Sequence, residues 1–164
     1  MAIQTRRTII STAGAALVVG ASGLTVSAQA KILAATPSMR GGANNYRAGA
    51  PIVNRIGNGG FWMSGSVRRV GDGAPLARRR IQVWAHTTEG NERDERSHGA
   101  TLTDTNGLFR IEMPQIVPAF GQPHGHLAYD AAYDDGGFET VFLRPVMASA
   151  SDTSLQVEFI LRPA

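Results

Sequence analysis

Regular alternation of apolar and polar residues starts at Phe61 and is absent before it. From Phe61 to Val70 (FWMSGSVRRV) the side chains alternate, and the run stops at the turn Gly71-Asp72-Gly73. Arg80 to Thr87 (RIQVWAHT) is a second run, with Ile81, Val83 and Ala85 alternating against Gln82, Trp84 and His86. Residues 89–99 (EGNERDERSHG) carry no apolar period and are expected to form a polar loop. A short strand at Thr101-Leu102-Thr103 meets Asp104-Thr105-Asn106-Gly107, whose Asn-Gly is a strong hairpin signal, and Leu108 to Met113 pairs back across it. After the Pro114–Pro123 loop come His124 to Tyr129, Phe138 to Leu143 and Leu155 to Leu161. Short runs of period two, separated by turn residues, predict an all-β fold. The expectation is an antiparallel β-sandwich of about seven or more strands over residues 61–164, with no internal repeat or second domain.

The stretch before Phe61 divides in two. Residues 31–60 hold Gly41-Gly42, Asn44-Asn45, Gly49, Pro51, Gly57 and Gly59-Gly60 with no period of 2 or 3.6, which predicts an extended N-terminal arm. Residues 1–30 begin with Thr5-Arg6-Arg7-Thr8-Ile9-Ile10, continue in a small apolar run from Ala13 to Val26, and end in Ser27-Ala28-Gln29-Ala30. The pattern resembles a twin-arginine signal with an A-x-A cleavage site before Lys31, and so implies the twin-arginine export machinery as a partner and a periplasmic or secreted location. The alternative is a buried or anchoring N-terminal helix. The apolar run is short for a stable membrane span, and none is expected after processing.

Composition narrows the function classes. The 164 residues contain no Cys, which excludes a disulfide framework, a zinc ribbon and a thiol nucleophile. Of 16 basic residues, Arg6 and Arg7 lie in the leader; the other 14 stand against 13 acidic ones, leaving a net charge near +1. The remaining clusters, Arg68-Arg69 and Arg78-Arg79-Arg80, lack an aromatic-rich binding pattern, so no nucleic-acid partner is expected.

The candidate chemistry centres on histidine. His124 and His126 are two apart on a predicted strand and so project to one side, with Gly125 leaving no bulk between them. That pair suits a shared metal ion, or it is two solvent-facing side chains on a polar strand face. His98, just before the hairpin, is placed to swing in as a third imidazole. His86 shares a strand face with Trp84, where packing or surface exposure is the expected role. Asp134-Asp135-Gly136-Gly137 lacks the ligand spacing of an EF-hand and is expected to be a turn. No Ser-His-Asp signature, phosphate-binding glycine loop or paired catalytic carboxylates stand out.

Several segments occur in an order that resembles the intradiol ring-cleavage dioxygenases. These are Tyr46-Arg47-Ala48-Gly49-Ala50-Pro51; Gly65-Ser66-Val67 with Gly73-Ala74-Pro75-Leu76-Ala77; Val83-Trp84 then Gly90; Thr103-Asp104-Thr105-Asn106-Gly107-Leu108-Phe109; His124-Gly125-His126; and Glu139-Thr140-Val141-Phe142. The resemblance covers around 100 residues, from 46 to about 145. It implies a non-haem iron site that activates a small catechol-like or other phenolic aromatic compound for ring opening by dioxygen. In that family two tyrosines and the two histidines of H-x-H hold ferric iron. Here the histidines transfer as His124 and His126, but the tyrosines do not: the equivalent positions fall on Glu92, eight residues after Trp84, and on Val117, three after Pro114. Two histidines and Glu92 form the facial set used by non-haem Fe(II), and a carboxylate in place of phenolate also suits Mn(II) or Zn(II). The implied metal ligands are therefore His124, His126 and Glu92, with His98 as a substitute for Glu92; the metal is iron, as Fe(II) or Fe(III), or another divalent ion. Glu92 is otherwise one charge in an exposed polar run. Two functions follow: an exported dioxygenase-like oxidoreductase, or a non-catalytic exported sandwich domain that has lost the ferric site. Oligomerisation stays open.

Overall fold

The computed structural model describes residues 32–164; the predicted signal sequence and its cleavage site lie outside the described residues. Seven strands form two sheets: β1 (Gly60–Arg69), β2 (Arg80–Ala85), β3 (His98–Leu102), β4 (Leu108–Pro114), β5 (Gly125–Tyr129), β6 (Val141–Leu143) and β7 (Ser154–Leu161). One sheet runs β4-β1-β7 and the other β3-β2-β5-β6. All pairings are antiparallel except β1 with β7, where Trp62 to Arg69 run parallel to Ser154 to Leu161. The sandwich expectation holds, with that one parallel pair as a departure.

The core forms as alternation dictates. Phe61, Met63 and Val67 of β1 are buried, as are Phe109, Ile111 and Met113 of β4. They meet Ile81, Val83, Leu127, Tyr129, Val141 and Leu143 from the facing sheet. Gly125 belongs to this inner layer: an added Cβ would stand 2.5 Å from Met63 Cε, so the residue between the two histidines is small because the core is tight there.

β2 departs from simple alternation, since all six of its residues are buried. Its second face carries Arg80, Gln82 and Trp84, and residues 32–59 cover that side. The arm is therefore an integral strap rather than a free extension. It bonds to four strand edges: Thr36 N–H donates to Ile160 O, Met39 N–H to Phe142 O, Val53 N–H to Ala100 O and Ile56 N–H to Glu112 O. Covering edges in this way satisfies backbone groups that would otherwise template aggregation. Gly42 lies directly against the β6 backbone, because a Cβ there would lie 2.7 Å from the Phe142 carbonyl oxygen.

Two predicted boundaries move. The polar stretch 89–99 is partly ordered: Glu95–Ser97 form a 3₁₀ turn, and β3 begins at His98. β6 is shorter than predicted, because Phe138 pairs singly with Pro163 while the continuous strand starts at Val141. The Asp134 loop is a turn, as expected. The Asp134 carboxylate receives Arg79 Nη1 at 2.6 Å and the Tyr129 hydroxyl at 2.8 Å. Among the described residues no helix is long and apolar enough to cross a membrane.

Candidate metal centre

The outer face of the four-stranded sheet presents a row of three rings. β2 pairs Trp84 with His98 of β3 on one side and with His126 of β5 on the other. Both imidazoles stack nearly parallel on the indole, with centroids 5.6 and 5.1 Å away and interplanar angles of 9° and 10°. Trp84 Nε1–H donates to the Asn44 carbonyl of the strap at 2.9 Å. The row is thus fixed by sheet register below and by the strap above.

His124 precedes β5 and pairs singly with Val146, which turns its ring towards the same side as His126. The loop after β2 brings Glu92 over this pair. The structure gathers the three residues implied by the sequence: Glu92 Oε1 lies 3.0 Å from His124 Nε2, and Glu92 Oε2 lies 3.5 Å from His126 Nε2. One ligand atom from each of the three falls within 4.8 Å of the others. All three residues are buried: Glu92 is 6% exposed, His124 2% and His126 0%.

The hydrogen bonds around the rings decide what this cluster can do. His124 Nδ1 lies 2.8 Å from the Gln122 carbonyl, and His126 Nδ1 lies 3.0 Å from the Gly42 carbonyl. A carbonyl only accepts, so each Nδ1 carries a proton and each ring turns its Nε2, the nitrogen left to bind a metal, towards Glu92. Arg144 Nη2, 3.4 Å from His124 Nδ1, is too distant to displace that closer partner. Three ligand atoms therefore converge, and Glu92 Oε1 and His126 Nε2 have no hydrogen-bond partner. Such a buried arrangement is unfavourable unless a cation occupies the middle. A zinc-sized divalent ion bonds imidazole nitrogen and carboxylate oxygen at about 2.0–2.2 Å, which spaces adjacent ligand atoms about 3.0–3.5 Å apart. The donor set and its spacing fit a metal.

The other histidines stand elsewhere. His98 is not a ligand. Its Nε2–H donates to the Glu92 backbone carbonyl at 2.8 Å, its Nδ1 faces the Gln82 amide at 3.4 Å, and burial lowers its pKa, keeping it neutral. It braces the residue it was expected to replace. His86 is half-buried, outside the cluster, on the wall of an open cleft of about 430 Å³. Asn45, Asn91, Arg93, Ala119 and the fully projecting Phe120 line the same cleft, and Glu92 reaches it from the cluster. Val117, at the second tyrosine position, is half-buried and bonds through its N–H to the His86 carbonyl.

No tyrosine approaches the centre as a ligand. Tyr46 donates to Asp130 at 2.5 Å, Tyr129 donates to Asp134, and Tyr133 lies under the Arg80 guanidinium. Sequence reasoning missed the strap's part in the site, since its Asn-Asn and Gly-Gly pairs read only as turn residues.

No protein-family model matches the chain, and no curated protein matches it by sequence. Solved structures do match. Hydroxyquinol 1,2-dioxygenase from Pseudomonas putida DLL-E4 superposes with a TM-score of 0.59 at 16% identity, over 80% of this chain and 68% of that one. 3-Chlorocatechol 1,2-dioxygenase from Rhodococcus opacus 1CP gives 0.57 at 16%, over 79% and 72%. The dioxygenase domain of a dioxygenase–carbohydrate-binding protein fusion from Streptomyces sp. SirexAA-E gives 0.56 at 14%, over 79% and 99%. The fold is that of the intradiol ring-cleavage dioxygenases.

Proposed function

We propose that this chain is an exported, dioxygenase-type oxidoreductase acting on a small catechol-like or other phenolic compound. Glu92, His124 and His126 hold one divalent metal, iron in the first place. The observation that carries this reading is the convergence of two carbonyl-tethered imidazoles on a buried carboxylate, with Glu92 Oε1 and His126 Nε2 left without a hydrogen-bond partner. Two histidines and one carboxylate are the ligand set of non-haem Fe(II) oxygenases and leave coordination positions open. The bound metal would supply a Lewis acid and a redox centre for a phenolic compound and dioxygen.

The chain's own residues supply the rest. The Gln122 and Gly42 carbonyls hold the ligand rings in the metal-binding tautomer. Asn91 and Arg93 offer hydrogen bonds at the cleft, His86 stands on its wall to accept a hydroxyl proton, and Phe120 offers a ring face at the mouth. The twin-arginine pattern at Arg6-Arg7 and the site ending at Ala30 support export. An Arg6→Lys, Arg7→Lys double variant should stay in the cytoplasm with its leader intact.

The test of the enzyme reading is oxygen uptake by iron-loaded protein with hydroxyquinol, 3-chlorocatechol and catechol. The first two are chosen because solved structures of this fold carry those names. The burial of both histidines favours a second reading, a non-catalytic metal-bearing domain, since of the three ligands only Glu92 lines the cleft. Tight metal binding with no oxygen uptake on any phenol would support that second reading.

A further inference from the structure

The strap does more than cover a sheet. Three residues within four consecutive positions, Gly42, Asn44 and Asn45, reach His126, Trp84 and Glu92. Gly42 O accepts from His126, Asn44 O accepts from Trp84, and Asn45 Nδ2 donates to Glu92 Oε2 at 2.9 Å. Asn45 also stands with φ at +58°, in the left-handed region that asparagine tolerates better than most side chains other than glycine.

We propose that Asn45 is a positioning residue for the metal centre, fixing Glu92 as a ligand from the strap. The inference rests on the metal-centre reading above. The Asn45 amide occupies Oε2, the carboxylate oxygen on the His126 side, and so leaves Oε1, 3.0 Å from His124 Nε2 and without any donor, as the oxygen presented to the ion. His98 holds the Glu92 backbone from the opposite direction. Main chain and carboxylate are thereby anchored separately, one from β3 and one from the strap. Asn45 also lines the cleft beside Glu92. Losing an outer partner of a metal ligand commonly weakens binding about 10- to 100-fold.

Two substitutions separate this role from simple scaffolding. Asn45→Gly and Asn45→Ala both delete the amide, but only glycine relieves the left-handed backbone. The experiment is a Co(II) titration of the metal-free full-length protein, followed by the visible d–d spectrum, with thermal midpoints measured in chelator. Asn45→Gly is expected to bind Co(II) about 10- to 100-fold more weakly, with an altered spectrum, while its metal-free midpoint is unchanged or raised. Asn45→Ala should match it in Co(II) affinity but melt lower. Wild-type affinity and spectrum in Asn45→Gly would overturn the proposal. So would a loss of affinity that merely follows a loss of metal-free stability across the two variants. If the wild type binds no Co(II), or His126→Ala binds like the wild type, the metal centre itself is wrong and Asn45 has nothing to position.

Discussion

Glu92→Gln should abolish metal binding and at the same time stabilise the metal-free protein. In the wild type, Oε2 already accepts from Asn45, whereas Oε1 lies 3.0 Å from His124 Nε2 and has no hydrogen-bond partner. Glutamine can keep its carbonyl oxygen on Asn45 and place its NH₂ where Oε1 stood. A repulsive contact then becomes an N–H···N hydrogen bond, and a buried charge is removed. Relieving one unsatisfied buried polar group is worth about 1–3 kcal/mol. For a chain of this size each kcal/mol moves the midpoint by about 2–4 °C, so a rise of about 3–10 °C is expected. The assay is thermal and urea unfolding in chelator at a pH near 8, where an ordinary imidazole is neutral, with Co(II) binding measured in parallel. A metal-free Glu92→Gln protein less stable than the wild type would show that a proton, shared as an imidazolium–carboxylate pair, joins these residues. The argument for a cation between them would then fail.

His98→Ala should lower stability by about 2–4 kcal/mol, combining an orphaned Glu92 carbonyl with lost stacking on Trp84, measured by urea unfolding. It should still bind one metal per chain, because His98 is a brace and not a ligand. Iron-loaded protein should lack the intense visible band of ferric tyrosinate, and a band abolished by Tyr46→Phe, Tyr129→Phe or Tyr133→Phe would contradict the site. Burial, reinforced by Asp134, pushes the Tyr129 hydroxyl up to about 12 from its ordinary 10. Its stabilising contribution is therefore complete below pH 10 and lost as the pH rises towards 12. Tyrosinate absorbance should accordingly lag that of the unfolded chain across this window, and a normal titration of Tyr129, identified with Tyr129→Phe, would refute the buried pair.

Much of this was legible in the chain because the relevant signals are local. The strict alternation from Phe61 to Val67 marks a strand with one face towards the core of a sandwich, and Asn106-Gly107 fixes the β3–β4 hairpin. His124 and His126 share a side because a strand has a period of two. Glu92 is a different case. It sits in a run of charged and polar residues of which it is the most deeply buried acid, and only the count from Trp84 singled it out. His98 read as an alternative ligand because sequence spacing does not show that β3 begins there and turns the ring onto Trp84. The strap was opaque for a further reason. Its contribution comes largely from backbone carbonyls at Gly42 and Asn44, and any residue type carries a carbonyl. β2 also lacks alternation because the strap buries its second face, a long-range event that the six residues of β2 do not encode.

The most direct test of the central claim is metal stoichiometry and affinity in the wild type against His124→Ala and His126→Ala, with the exposed Glu95→Ala as control and folding checked by circular dichroism. The account predicts one tightly bound divalent metal per wild-type or Glu95→Ala chain, and loss of that binding in either histidine variant with the β-sandwich intact. A wild-type protein that binds no metal, or histidine variants that bind it as the wild type does, would contradict it.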